Sequence, residues 1–251
     1  MMTAMARLVS FDGVELEYDV TGPEGGVPAL LLHGFAADSR RNWVAPGIAG
    51  ALGAGGRRLV LLDARGHGRS DRPHDPDAYA DGAMAEDVVA LMDELGVPQI
   101  DLVGYSMGSM TALEVCARDP RPRAVVLGGV GGAMLHHKLD RRAIAGALVA
   151  DDPRDAPPAA RAFRRFAERT GADLEALAAV QRARRAPTVD LGALRLPALV
   201  VAGDHDRLAG APGELALAIP GGRAAVVSGD HLTAVFDPDL PKIIDVFLGG
   251  L

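Results

Sequence analysis

The sequence predicts an α/β fold: a mostly parallel central sheet with helices on both faces and a helical cap inserted late in the chain. Six apolar runs, each leading into a Gly or Asp, read as strands covered on both sides. Helical patterns of period 3.6 fall between several of them, and residues 133–191 contain no such run. The 251 residues suffice for one large α/β domain or two small ones, so periodicity has to decide between them.

The opening LVSFDGVELEYDV reads as two short strands around the Asp12-Gly13 turn, with Val14, Leu16 and Tyr18 alternating as in a half-exposed antiparallel pair. The buried runs follow in PALLLHG (28–34), RRLVLLDARG (57–66), IDLVGYS (100–106), RAVVLGG (123–129), PALVVAGD (197–204) and RAAVVSGD (223–230). Helices are expected over 42–54, 79–95 and 107–117. In the second, Met84, Val88, Leu91 and Leu95 form one apolar stripe to lay on a sheet. Within 133–191, residues 157–170 and 173–185 read as amphipathic helices, the former with Phe163 and Phe166 on one side. The expected division is therefore a core of 1–132 and 192–251 with a cap of 133–191. The cap is mildly basic, which reads as a solvated helix face.

Composition narrows the function. With 49% hydrophobic and 24% charged residues the chain is globular, and a net charge of −7 argues against nucleic acid or anionic membrane as partner. No run reaches the length of a membrane span and the amino terminus lacks a signal-peptide core, so a cytoplasmic protein is expected. The one cysteine, Cys116, reads as a small core residue.

The stretch DLVGYSMGSM (101–110) carries the chemistry. A serine at a sharp strand-to-helix turn needs small neighbours two residues to either side, and Gly104 and Gly108 flank Ser106. A hydroxyl is a weak nucleophile until a base takes its proton and a third group orients that base. Among seven histidines, His33, His67 and His74 precede the serine, His136 and His137 lie in the cap, and His205 is inside the loop that would hold the acid. His231, after the last buried run, is the candidate base. For the acid, GDHD offers Asp204 and Asp206. Asp206 is preferred because the third residue past the glycine has room to turn back, and Asp204 reads as bracing the turn. Donors for an oxyanion are expected from the backbone N–H of Met107 and, in the HGF loop, of Phe35. His33 reads as a loop brace, and Trp43 as packing beneath the first helix. The RGHG loop lacks the Lys and Ser/Thr pair of a phosphate loop and reads as a turn held by Arg65. Asp204, His205 and Asp206 have no further clustered ligands that would make them a metal site.

Together HGF (33–35), DARGHGRSDRP (63–73), GYSMG (104–108), GDHDRL (203–208) and GDHL (229–232) resemble the α/β-hydrolase superfamily over nearly the whole chain, most closely its small esterase-like bacterial members with a short cap. The resemblance implies Ser106 as nucleophile, Asp206 as acid, His231 as base, and Phe35 and Met107 as oxyanion donors. Asp230 departs from the glycine that the family often has before the histidine. The implied activity is hydrolysis of a carboxylic ester or related small acyl compound, with no cofactor. Thioesterases, lactonases, carbon–carbon bond hydrolases and perhydrolases use the same triad, and a non-catalytic binding or regulatory role is the alternative of another class.

Overall fold

The computed structural model describes residues 4–136, 139–184 and 188–251. His137 and Arg185, assigned above to the cap and its second helix, lie outside them. β1 (Ala4–Val9) and β2 (Glu15–Thr21) form the expected antiparallel hairpin, with Leu8 opposite Leu16. β3 (Ala29–Leu32), β4 (Leu59–Leu62), β5 (Ile100–Tyr105), β6 (Pro122–Gly128), β7 (Ala198–Gly203) and β8 (Arg223–Val227) complete an eight-stranded sheet in the order β1-β2-β4-β3-β5-β6-β7-β8. β2 runs antiparallel to β1 and β4; β3 to β8 are parallel to one another. From β3 the chain steps outward to β4, then crosses back to β5 on the other side. In open α/β sheets ligands bind where the winding reverses, outside the carboxyl ends of the strands. Here that point lies between β3 and β5.

Continuous apolar runs follow from burial on two sides. Leu30 and Leu32 of β3 face one core, while Ala29 and Leu31 face the other. The first core is covered by α2 (Ala83–Glu94), α3 (Met107–Arg118) and α8 (Pro212–Leu217), the second by α1 (Ile48–Ala54) and α9 (Leu240–Gly249). Trp43 is buried in the second, with Ile48, Ala49 and Leu52 of α1.

Three expectations need correction. The helix expected over 42–54 is two pieces, a turn at Arg40–Val44 and then α1, because Gly47 takes a left-handed φ of 86° between them. The helix expected over 79–95 is broken likewise, with Asp81 (φ 53°) and Gly82 (φ 87°) left-handed before α2 begins. β8 is not a doubly covered strand. It pairs on one edge alone, and Val226 is 59% exposed.

Between β6 and β7 stand α4 (Ala133–His136), α5 (Arg141–Val149), α6 (Pro158–Thr170) and α7 (Leu174–Arg182). The sequence pattern pointed to α6 and α7 but not to α5, whose buried face is Ile144, Ala145, Ala147 and Leu148, too alanine-rich to stand out. Asp140 and Asp173 cap α5 and α7 by accepting the N–H of Ala143 and Ala176, and Gly171 closes α6 in the left-handed conformation. Helices α5 to α7 bury an apolar cluster of their own, which also takes in Phe35 and Tyr79.

One buried ion pair ties the hairpin, the loop after β4 and α2 together. The Arg65 guanidinium is fully buried. It donates to both Asp87 oxygens at 2.6 Å, to both Asp12 oxygens at 2.7 and 3.1 Å, and to the Ala78 carbonyl. Ser10 Oγ adds a bond to Asp87 at 2.6 Å. Removing one partner strands a buried charge, which destabilises strongly. Asp87→Ala is expected to lower the unfolding free energy by about 3–5 kcal/mol in urea titration, whereas truncating the exposed partner of Lys242, Asp239, is expected to change it by less than about 1 kcal/mol.

Candidate active site

β5 ends at Tyr105 and α3 begins at Met107, so Ser106 alone turns the chain, at φ 53° and ψ −109°. A side-chain-bearing residue held there stores about 1–3 kcal/mol of strain, sustained only by its surroundings. Ser106 N–H donates to the Gly128 carbonyl at 2.8 Å, and the Ser106 carbonyl receives the Ser109 N–H at 3.0 Å. The two glycines are required by close approach. A Cβ on Gly104 would stand 2.5 Å from Gly108 O, and one on Gly108 would stand 2.0 Å from Leu32 O at the end of β3.

His231 follows β8 on a loop tied down from several directions. Its Nε2 lies 3.0 Å from Ser106 Oγ and its Nδ1 lies 2.9 Å from Asp206 Oδ2. An ionised carboxylate only accepts, so Nδ1 carries the proton and the Nε2 lone pair faces the serine hydroxyl. The other Asp206 oxygen accepts the N–H groups of Leu208 and Ala209 at 3.0 and 2.9 Å, and its side chain is fully buried. Asp204 is engaged elsewhere. Its Oδ1 accepts the Gly229 N–H at 2.9 Å and lies 2.7 Å from His205 Nδ1, bracing the loop that carries His231. Asp230 accepts the N–H of Leu232 and both the N–H and hydroxyl of Thr233. The Thr233 and Leu232 bonds hold its carboxyl below the usual range, so it serves the turn as an anion.

The geometry adds one brace that no local pattern in the sequence marks. The phenol of Tyr105, the residue before the serine, donates to the His231 carbonyl at 2.9 Å. A tyrosine at the end of a buried strand looks like core, and its partner lies 126 residues away.

Phe35 stands on the loop after β3, and Ala36 beyond it is left-handed at φ 60°. Among the described residues, neither the Phe35 nor the Met107 N–H has a protein acceptor, so both backbone donors are free. His33 braces this loop. Its Nε2 accepts the Ala64 N–H at 3.0 Å, which leaves Nδ1 as the donor to the Gly34 carbonyl at 2.9 Å. The Phe35 ring meets His67 and Phe163 of α6 edge-on, each at 5.8 Å. Neither Ser106 nor His231 lines the groove of about 750 Å³ between loops 36–44 and 66–72 and the corner at 170–173, where Arg and Asp side chains are evenly mixed.

An imidazole lone pair on a serine hydroxyl, a carboxylate behind the imidazole and two open N–H groups near the serine are the parts needed for acyl transfer through a covalent intermediate. Residues 28–185 match the family model described as alpha/beta hydrolase fold, and the chain belongs to that family. Over 216 residues it is 30% identical to the dihydrolipoyllysine-residue acetyltransferase component of the acetoin cleaving system of Pseudomonas putida, covering 84% of this chain and 55% of that protein. The chain thus spans about half the length of that relative. Among solved structures it is similar to an esterase, RhEst1, from Rhodococcus sp. ECU1013, at 29% identity and TM-score 0.78, covering 98% of this chain and 99% of the other. It is also similar to the enol-lactonase of Burkholderia xenovorans LB400, at 26% identity and TM-score 0.71, covering 97% and 100%. No helix among the described residues is long and apolar enough to cross a membrane.

His67, packed against the Phe35 ring, supplies a test of this loop's stability. Burial, then the neighbouring His33, pushes its pKa down from 6.5 to about 3. Its Nδ1 lies 3.0 Å from the Arg65 carbonyl and its Nε2 is unpartnered among the described residues. Between these two pH values only the unfolded chain takes up the proton, so stability present above pH 6.5 is lost as pH falls, by about 1.4 kcal/mol per pH unit from this residue. His67→Asn is expected to flatten the decline in unfolding free energy between pH 6.5 and 5 in chemical denaturation. An unchanged slope would rule out a buried neutral imidazole.

Proposed function

We propose that this protein is a serine hydrolase that cleaves a carboxylic ester or related acyl compound through an acyl-enzyme on Ser106. The observation that carries the reading is the chain of contacts from Asp206 through His231 to Ser106, at 2.9 and 3.0 Å. In this reading His231 Nε2 takes the Ser106 proton as Oγ attacks the acyl carbon, while Asp206 stabilises the imidazolium that results. The N–H groups of Phe35 and Met107 receive the oxyanion. The imidazolium then protonates the leaving alcohol, and water, deprotonated by the same nitrogen, releases the acid. None of these steps calls for a cofactor.

Residues 133–191 act as the cap over Ser106, with 1–132 and 192–251 as the core. Supporting this division, α5 to α7 share their own apolar cluster, and Phe163 of α6 rests on Phe35. The likeness to an esterase and to an enol-lactonase supports the same substrate class, since a lactone is a cyclic ester opened by the same attack.

Intact-mass analysis after treatment with a fluorophosphonate tests the reading without knowledge of the substrate. Wild type is expected to gain one adduct, Ser106→Ala none, and His231→Ala is expected to react at least about a hundredfold more slowly. An unmodified, folded wild type would overturn it, as would an adduct that persists in Ser106→Ala.

A further inference from the structure

Tyr105 and Ser106 are consecutive residues, and each reaches a different part of His231. Ser106 Oγ lies 3.0 Å from the imidazole Nε2, and the Tyr105 phenol donates to the His231 carbonyl at 2.9 Å. These two contacts close a ring. It runs from the serine side chain to the imidazole, back along His231 to its carbonyl, and through the phenol to the backbone beside the serine. Asp206 meets this ring from outside, at the imidazole Nδ1. A carbonyl only accepts, so the phenol is the donor. Tyr105 keeps that proton, because burial, then the charges of Asp206 and Asp230, raise its pKa above the ordinary phenol value.

The phenol ring has a fitted seat. Tyr105 is buried, and its ring lies against Gly128 and Gly129 at the end of β6. A Cβ on Gly128 would stand 2.8 Å from Tyr105 Cδ2. One on Gly129 would stand 2.8 Å from Tyr105 Cε1 and Cζ and 3.3 Å from His231 Cε1. The two glycines therefore leave room for both rings, whose centroids are 5.7 Å apart. The Gly128 carbonyl also holds the Ser106 N–H at 2.8 Å, so the same glycine pair seats the tyrosine and anchors the serine.

His231 needs such a tie. It stands on the loop after β8, the strand at the edge of the sheet. The bonds of Ser228 to Asp237 and of Gly229 to Asp204 fasten that loop before the histidine, whereas the Tyr105 bond falls on the histidine's own backbone. We propose that Tyr105 is a positioning residue, which sets the separation of His231 Nε2 from Ser106 Oγ by tying the base to the residue before the nucleophile. This rests on the serine hydrolase reading above. Because the phenol and the nucleophile sit on consecutive residues, a shift of the turn after β5 carries base and serine together. Misplacing a reacting pair by about 1 Å can cost about a hundredfold in rate, so the tie bears on reactivity as well as on folding.

Tyr105→Phe keeps the ring and removes only the donor. Folded Tyr105→Phe is expected to react with a fluorophosphonate about tenfold more slowly than wild type. In a His231→Ala background, with no imidazole to position, the same substitution is expected to change the rate by less than about twofold. A wild-type rate for Tyr105→Phe would overturn the proposal. An equal loss in the His231→Ala background would also overturn it, assigning the effect to the turn at Ser106 alone. A variant-free check is a crystal structure of the wild-type adduct, in which the phenol is expected to remain on the His231 carbonyl. An imidazole still in place with the phenol released overturns the proposal and leaves the serine hydrolase reading standing, whereas failure of wild type to form any adduct on Ser106 overturns both.

Discussion

The arrangement depends on how closely the first turn of α3 approaches the end of β3. Gly108 lies so near the Leu32 carbonyl that a Cβ there would stand 2.0 Å from it. That approach brings the two strand ends at the reversal of the winding within reach of one another. The loop after β3 and the turn after β5 share one small region, and Ser106 is forced into its strained positive-φ conformation at their junction. A larger residue at 108 would push the helix off the strand and separate the Met107 N–H from the Phe35 loop. The strain at Ser106 persists because the strand behind it, the helix ahead of it and the bond to Gly128 leave the backbone no other course.

Around this junction, buried polar groups act as fasteners. His33 joins the Gly34 carbonyl to the Ala64 N–H, so the loops after β3 and β4 are pinned to each other. Asp63, at the end of β4, accepts the N–H of Ser39 and both the N–H and guanidinium of Arg69. The loop carrying His231 is fastened likewise, by Asp204 to Gly229, by Asp237 to Ser228 and by Tyr105 to the histidine's own carbonyl. Groups held this way need no rearrangement when charge develops at a reacting atom, which makes fixed dipoles effective in a site of this kind.

Much of this was legible in the chain itself, for identifiable reasons. Strands β3 to β7 are buried on both faces, so each reads as an unbroken apolar run, and chain order already brings Ser106, Asp206 and His231 to the ends of separate strands. What was not legible depends on long-range placement. The run in β8 looks like the others, and only its position at the sheet edge exposes Val226. The break before α1 rests on Gly47, one glycine among 31. The Tyr105 hydroxyl belongs to a residue type found everywhere in proteins, and its partner comes from elsewhere in the fold. By contrast Arg65, Gly104 and Gly108 were legible because their local motifs impose steric or charge demands that few other residues meet.

The separate apolar cluster of α5 to α7 bears on how such a chain can diverge. Most side chains in that cluster pack against one another, and they meet the remainder of the molecule through few residues, Phe35 and Tyr79 among them. Substitutions inside the cluster need only preserve its own volume, so this part of the chain is free to drift at a different pace from the sheet. Phe163 stands at this boundary. It touches the ring of Phe35 directly, and a change there is transmitted to the loop beside the serine. Variation can therefore accumulate in one helical unit while the sheet stays fixed, provided it spares the boundary where that unit meets Phe35, Tyr79 and Met107.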